Sequence, residues 1–209
     1  MAEQKFSLTV YHADQCGNPQ NCLYPREGIA TTADELKPML CNDHVFIRFN
    51  GNYRSKDNFI QATTATFDCD NDHSDDPSEW IKPEDMPDIF PGVRCVTDTS
   101  RHHMKQKGGK SPRPRFHITF ATDTFTGAES YAAFMKKVQS LYPFFDGGAL
   151  DAARFFFGNP DSEVQFFPGT MTLTDFIAER KLKMRLQNWV KQFPRAIATG
   201  LCPFLPEGI

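Results

Sequence analysis

No run of eighteen apolar residues occurs in this 209-residue chain, so no segment reads as a membrane-spanning helix. The opening MAEQKFSLTV lacks a positive stretch ahead of an apolar core and does not read as a secretory signal. CxxC spacing is missing: the six cysteines, at 16, 22, 41, 69, 95 and 202, include no such pair, which in a chain this long argues for reduced cytosolic thiols over a disulfide framework. Internal repeats and low-complexity tracts are missing too. Nor is there an excess of positive charge. At a net −3, any polyanionic partner has to be held by a local basic patch. What is plentiful is apolar: 40% of residues are hydrophobic and 20 are Phe, enough to build a substantial core.

The pattern along the chain alternates between the two regular periods. Residues 5–12 (KFSLTVYH), 44–49 (HVFIRF), 63–69 (TTATFDC), 93–100 (VRCVTDTS) and 115–121 (RFHITFA) read as strands. In the last, Phe116, Ile118 and Phe120 fall on one face and His117 and Thr119 on the other. Residues 31–40, 83–90, 128–145 and 170–193 read as helices, the first capped by Thr or Asp. Residues 15–28 are rich in Gly, Pro and Asn and read as a loop, and 146–158 as a turn leading into an apolar strand. Interleaved strands and helices predict an α+β or α/β fold with a mixed sheet.

Residues 64–80 (TATFDCDNDHSDDPSEW) carry the strongest chemical signal. From Asp68 to Glu79 six carboxylates follow one another without a Lys or Arg. A solvated acidic loop accounts for Asp72, Asp75, Asp76 and Glu79. Asp68 and Asp70 are different: two apart at a strand's end, they share a face and repel unless a cation sits between them. A calcium loop fits Asp68, Asp70, Asp72 and Glu79 but has His73 where the sharp turn needs Gly. Zinc on Cys16, Cys22, Cys41 and His44 requires ligand spacings unlike those of fingers or ribbons. Downstream, Arg101 to His117 hold six Lys or Arg, three His and no carboxylate, and GALDAARFFFG supplies Asp151 and Arg154.

Asp-x-Asp at a strand end (DCDNDHSDDPSEW), a basic segment running into a strand His (RPRFHITF) and a third Asp after a helix (LDAARFFFG) stand in the order of the archaeo-eukaryotic primase superfamily. The chain resembles the primase-polymerase domains of phages, plasmids and mobile elements, from about Tyr11 to Phe167. One departure is Arg115, where that group often has Ser two residues before the His.

The resemblance implies a primase catalytic core with an RRM-like mixed sheet flanked by helices over residues 1–195, with 196–209 a tail or the start of a linker. It implies template-directed nucleotidyl transfer that makes or extends primers, with two divalent cations, Mg²⁺ or Mn²⁺, held by Asp68, Asp70 and Asp151. His117 and Arg154 are then expected at the triphosphate, with Arg115, Lys110, Arg113, Ser100 and Arg101 as further nucleotide contacts. Arg54, Lys105, Lys107, Arg180 and Lys183 are the expected template contacts, the last two within a basic run from Arg180 to Arg195. Expected partners are a single-stranded DNA template or primer, ribo- or deoxyribonucleoside triphosphates and a helicase module in a longer protein. The expected setting is a bacterial cytoplasm. Two other classes compete: a non-catalytic replication-initiator domain that only binds nucleic acid, and a metal-dependent nuclease or nickase, against which His102 and His103 are adjacent instead of spaced as HxH and the downstream Tyr131 and Tyr142 fall on a helix read as packed. Because Asp68 and Asp70 repel, replacing either is expected to leave the fold intact or slightly stabilised.

Overall fold

The computed structural model describes residues 6–148 and 150–192, with side chains to Lys183. The fold is α+β. Strands β1 (Leu8–His12), β2 (Arg26–Ala30) and β3 (His44–Val45) form a three-stranded sheet in the order β2-β1-β3. Strands β4 (Ile47–Phe49), β5 (Phe59–Cys69), β6 (Cys95–Thr99), β7 (Phe116–Phe125) and β8 (Val164–Phe167) form the larger sheet, ordered β4-β5-β7-β6-β8. The helices are α1 (Ala33–Leu40), α2 (Met86–Ile89), α3 (Ala128–Leu141) and α4 (Leu173–Gln192). No described helix is long and apolar enough to cross a membrane.

The expected mixed sheet is not what forms. Every pairing between named strands is antiparallel. A parallel neighbour needs a crossover long enough to carry the chain back, whereas β4–β5 and β6–β7 are joined by loops that simply reverse it. The 44–49 segment, expected as one strand, serves both sheets: Tyr11 pairs with Val45 on one side, and Ile47 with Ala62 on the other.

Alternation along β5 and β7 sends Phe67, Phe116, Ile118 and Phe120 into the main core. There they meet Met86 and Phe90 of the α2 region, Tyr131 and Val138 of α3, and Leu173 and Ile177 of α4. A second core lies between Val96 and Ala121 of the large sheet, Leu8 and Val10 of β1, and Leu36 and Leu40 of α1. The cap of α1 is as expected: the Thr32 hydroxyl accepts the Glu35 amide at 3.3 Å, and Glu35 accepts the Thr31 amide at 2.7 Å. Buried Asp43 ties distant loops, accepting from the amides of Gly17, Asn18 and Gly158 at 2.8–2.9 Å. Position 158 has room only for glycine, since a Cβ there would lie 2.3 Å from the Cys41 carbonyl oxygen.

Two expectations about the strands need correction. Residues 26–28, expected as loop, begin β2. The apolar Phe155–Phe157 run forms no strand; Phe156 alone bridges to His44, while Phe155 and Phe157 turn outward beneath arginines. The strand that pairs beside β6 at that edge is β8, four residues long and downstream. The tail from 196 lies outside the described residues, as do Cys202 and the side chains of Arg185, Lys191 and Arg195.

Candidate active site

Register across three strands builds the centre of the site. Asp68 of β5 lies opposite His117 of β7, which lies opposite Asp98 of β6. Directly paired residues share a face, so carboxylate, imidazole and carboxylate stand in one row across the sheet. His117 Nδ1 lies 2.8 Å from Asp98 Oδ2, and its Nε2 lies 3.5 Å from Asp68 Oδ1. Burial pulls the His117 pKa down, but the Asp98 carboxylate, its hydrogen bond and Asp68 outweigh that, and the net shift is upward. His44 behaves in the opposite way. Desolvation outweighs its charged neighbours and pushes it down to about 4. Its Nδ1 donates to the Asn42 carbonyl at 2.9 Å, since a carbonyl only accepts, and its buried Nε2 has no hydrogen-bond partner.

A cleft of about 240 Å³ opens beside this row. Asp68, Asp70 and His117 form one wall. Ser100, Arg101, His102 and Lys107 come from the loop between β6 and β7, and Arg154 to Phe157 close the other side. That loop is a hairpin turned by Gly108 and Gly109 at φ +56° and +79°, where a side chain would be strained. Two ion pairs cross the cleft: Arg154 Nη2 to Asp68 Oδ2, and Lys107 Nζ to Asp70 Oδ2 at 2.7 Å. The Arg101 guanidinium stacks 4.0 Å above the Phe157 ring.

Asp68, Asp70, His117, Arg154, Ser100 and Arg101 are therefore brought together, and Lys107, expected on the template path, joins them. Asp151 does not. It is exposed, its Oδ1 accepts the Ala153 amide at 2.6 Å, and it borders a separate depression with Ala132 and Lys136. Arg113 and Arg115, expected at the nucleotide, are fully buried. Arg113 donates to the carbonyls of Asn71, Ser74 and Ser111 at 2.9–3.2 Å and to Asp75 at 2.7 Å. Arg115 donates to the Lys105 carbonyl at 2.8 Å and lies 3.9 and 3.7 Å from Asp70 and Asp72. Together with Lys110, 3.6 Å from Asp75, they balance the acidic run. The acids from Asp70 to Asp75 are thus held largely by the basic loop facing them.

The expected template contacts fare unevenly. Arg54 is occupied, donating to the carbonyls of Ala153 and Asn21 at 2.9 and 3.1 Å and lying 4.7 Å over Phe155. Arg180 donates to the Tyr142 hydroxyl, and Lys183 pairs loosely with Glu179 at 3.8 Å on an exposed helix face. Lys105 is exposed on the hairpin. Sequence reasoning missed Asp98. Its signal was an acid at an alternate position inside a β-branched run, which becomes meaningful only once the register puts it beside His117.

Among the described residues no trio of His, Cys, Asp or Glu is gathered to hold a metal ion. This applies to the three-acid set and to the Cys16, Cys22, Cys41 and His44 set. Asp68 and Asp70 by themselves do fit a divalent cation: they are neighbouring hard oxygen donors, and Asp68 Oδ1 is buried without a hydrogen-bond donor. No protein-family model, curated protein or solved structure matches the chain.

Proposed function

We propose that the chain is the catalytic domain of a primase-polymerase, built on the RRM-like primase core and carrying out template-directed nucleotidyl transfer. The observation that carries this reading is the meeting, in one cleft, of Asp68 and Asp70 with Arg154, Arg101, Lys107 and the His117–Asp98 pair. Acids for a cation beside bases for phosphate is the combination that phosphoryl transfer requires.

In this reading Asp68 and Asp70 hold the divalent cation, Mg²⁺ or Mn²⁺, which supplies activation of the attacking hydroxyl and charge neutralisation on the triphosphate. Asp151, exposed and hydrogen-bonded to its own loop, stands outside this pair. Arg154, Arg101 and Lys107 bind phosphate oxygens, and His117 Nε2 donates to one of them while Asp98 holds its Nδ1. Phe157 holds the Arg101 guanidinium at the cleft by stacking beneath it. The exposed Lys105 and α4 bases follow a single-stranded template, and a helicase module is the natural neighbour in a longer replication protein. A tyrosine-dependent nickase is disfavoured because Tyr131 and Tyr142 are buried in the core.

The test is incorporation of labelled ribo- and deoxyribonucleotides on single-stranded DNA, with and without primer, in Mg²⁺ or Mn²⁺. Extension supports the reading. Binding without extension assigns the chain to the initiator class, and cleavage to the nuclease class.

A further inference from the structure

Both acids of the cleft are already neutralised from within the chain, and by residues that the proposed reaction needs elsewhere. Asp68 is paired with Arg154, and Asp70 with Lys107 at 2.7 Å. The two bases come from separate segments, the loop after Asp151 and the Gly108–Gly109 hairpin, and neither is deeply buried: the side chains are 36% and 43% exposed. Arg113 and Arg115, at 1% and 0%, are fixed instead.

We infer that Arg154 and Lys107 are exchangeable counter-ions of Asp68 and Asp70, so that the cleft takes a divalent cation and a polyphosphate together and takes either one poorly alone. The inference rests on the nucleotidyl-transfer reading of the same cleft. A divalent cation arriving alone has to displace a guanidinium and an ammonium, which then face it as like charges. A polyphosphate arriving alone draws those two bases away and leaves two adjacent carboxylates beside a polyanion, with His117 and Arg115 facing them no closer than 3.5 and 3.9 Å. Arriving together, the cation replaces the bases on the acids, and the freed bases fall on the phosphate oxygens. Both acids and both bases are then paired before and after, and by linkage each ligand tightens the other by the same factor.

The test uses each ligand alone. Mn²⁺ binding is followed by electron paramagnetic resonance in wild type and in Arg154→Gln/Lys107→Gln. With the internal competitors gone, the variant should bind Mn²⁺ about tenfold more tightly, within the usual range of coupling. Tripolyphosphate binding is followed by calorimetry in metal-free buffer. There Asp68→Asn/Asp70→Asn should bind more tightly than wild type, because its bases are no longer engaged. Lys107→Gln alone, at the exposed pair, repeats the first comparison should the double variant not fold. Wild-type Mn²⁺ binding that the Gln variants leave unchanged or weaken overturns the inference but spares the cation reading. Absence of Mn²⁺ binding in wild type and variants alike overturns both.

Discussion

Asp98 Oδ2 lies 2.8 Å from His117 Nδ1, and the two residues are direct cross-strand partners on β6 and β7. Antiparallel register alone brings them together, and the pair in turn leaves Nε2 of His117 as the nitrogen facing Asp68 and the cleft.

Asp98→Asn should therefore lower the His117 pKa from above its ordinary value, because a neutral amide cannot stabilise the imidazolium as a carboxylate does. Proton-detected titration of the His117 ring in wild type and variant reads this directly. Nucleotide incorporation should fall in parallel. An unmoved titration would mean that Asp98 does not set the charge of His117.

Asp68→Asn should abolish incorporation, and its effect on stability should be the reverse of what like-charge repulsion suggests. The partner of Asp68 is Arg154, with His117 close by, so the variant leaves a half-buried guanidinium short of an acceptor. A loss of about 1–2 kcal/mol is expected, below the usual ~1.5–3 kcal/mol of a charged hydrogen bond because Arg154 is 36% exposed and screened by water. Urea unfolding of wild type and variant decides the sign, and a more stable variant would restore the repulsion argument.

Arg113→Ala should be the most damaging change in the basic loop. Its guanidinium is buried and serves the carbonyls of Asn71, Ser74 and Ser111, so removal unties two loops and leaves the buried Asn71 carbonyl short of a donor. A loss of about 1–3 kcal/mol is in keeping with leaving a buried carbonyl unsatisfied, since the acids it pairs with, Asp72 and Asp75, are exposed to water. Lys110→Ala, on the surface of the same network, should shift the unfolding midpoint far less. Similar midpoints for the two variants would count against a structural role for Arg113.

His44 makes stability depend on pH with a definite sign. Its folded pKa is about 4 against an ordinary 6.5, so the unfolded chain binds the proton more readily. The stabilisation is complete above about pH 6.5 and is lost as pH falls toward 4, by on the order of 3 kcal/mol. His44→Phe, among Phe46 and Phe156, removes the titration while keeping an aromatic ring. Unfolding free energies at pH 7 and pH 4.5 should differ less in the variant; equal differences would show that His44 does not carry the effect.

Much of the fold was legible because its elements are long and strictly periodic. The alternation around Phe67 and around Phe116, Ile118 and Phe120 picks out β5 and β7 with their faces, and Thr32 marks the start of α1. The misses share a cause. Phe155–Phe157 is the more apolar run, yet two of its rings are taken up by Arg54 and Arg101, and the pairing goes to the less conspicuous Val164–Phe167. In the site, Asp68, Asp70, His117 and Arg154 were legible as residue types in order. Arg113 and Arg115 were misread because a phosphate-facing Arg and one buried among backbone carbonyls look alike until the acceptors from 71–74 and 102–105 are folded around them.

The open ends of the five-stranded sheet bear on how the protein behaves in a crowd of its own copies. Its outermost strands are only three and four residues long. On β4 the register breaks between Arg48 and Phe49, and Arg48 projects into solvent; β8 runs straight into Pro168, which has no amide hydrogen to offer. A short, charged, kinked edge and one stopped by proline are poor templates for another strand, so the sheet that carries the Asp68–His117–Asp98 row ends where it does instead of extending from molecule to molecule.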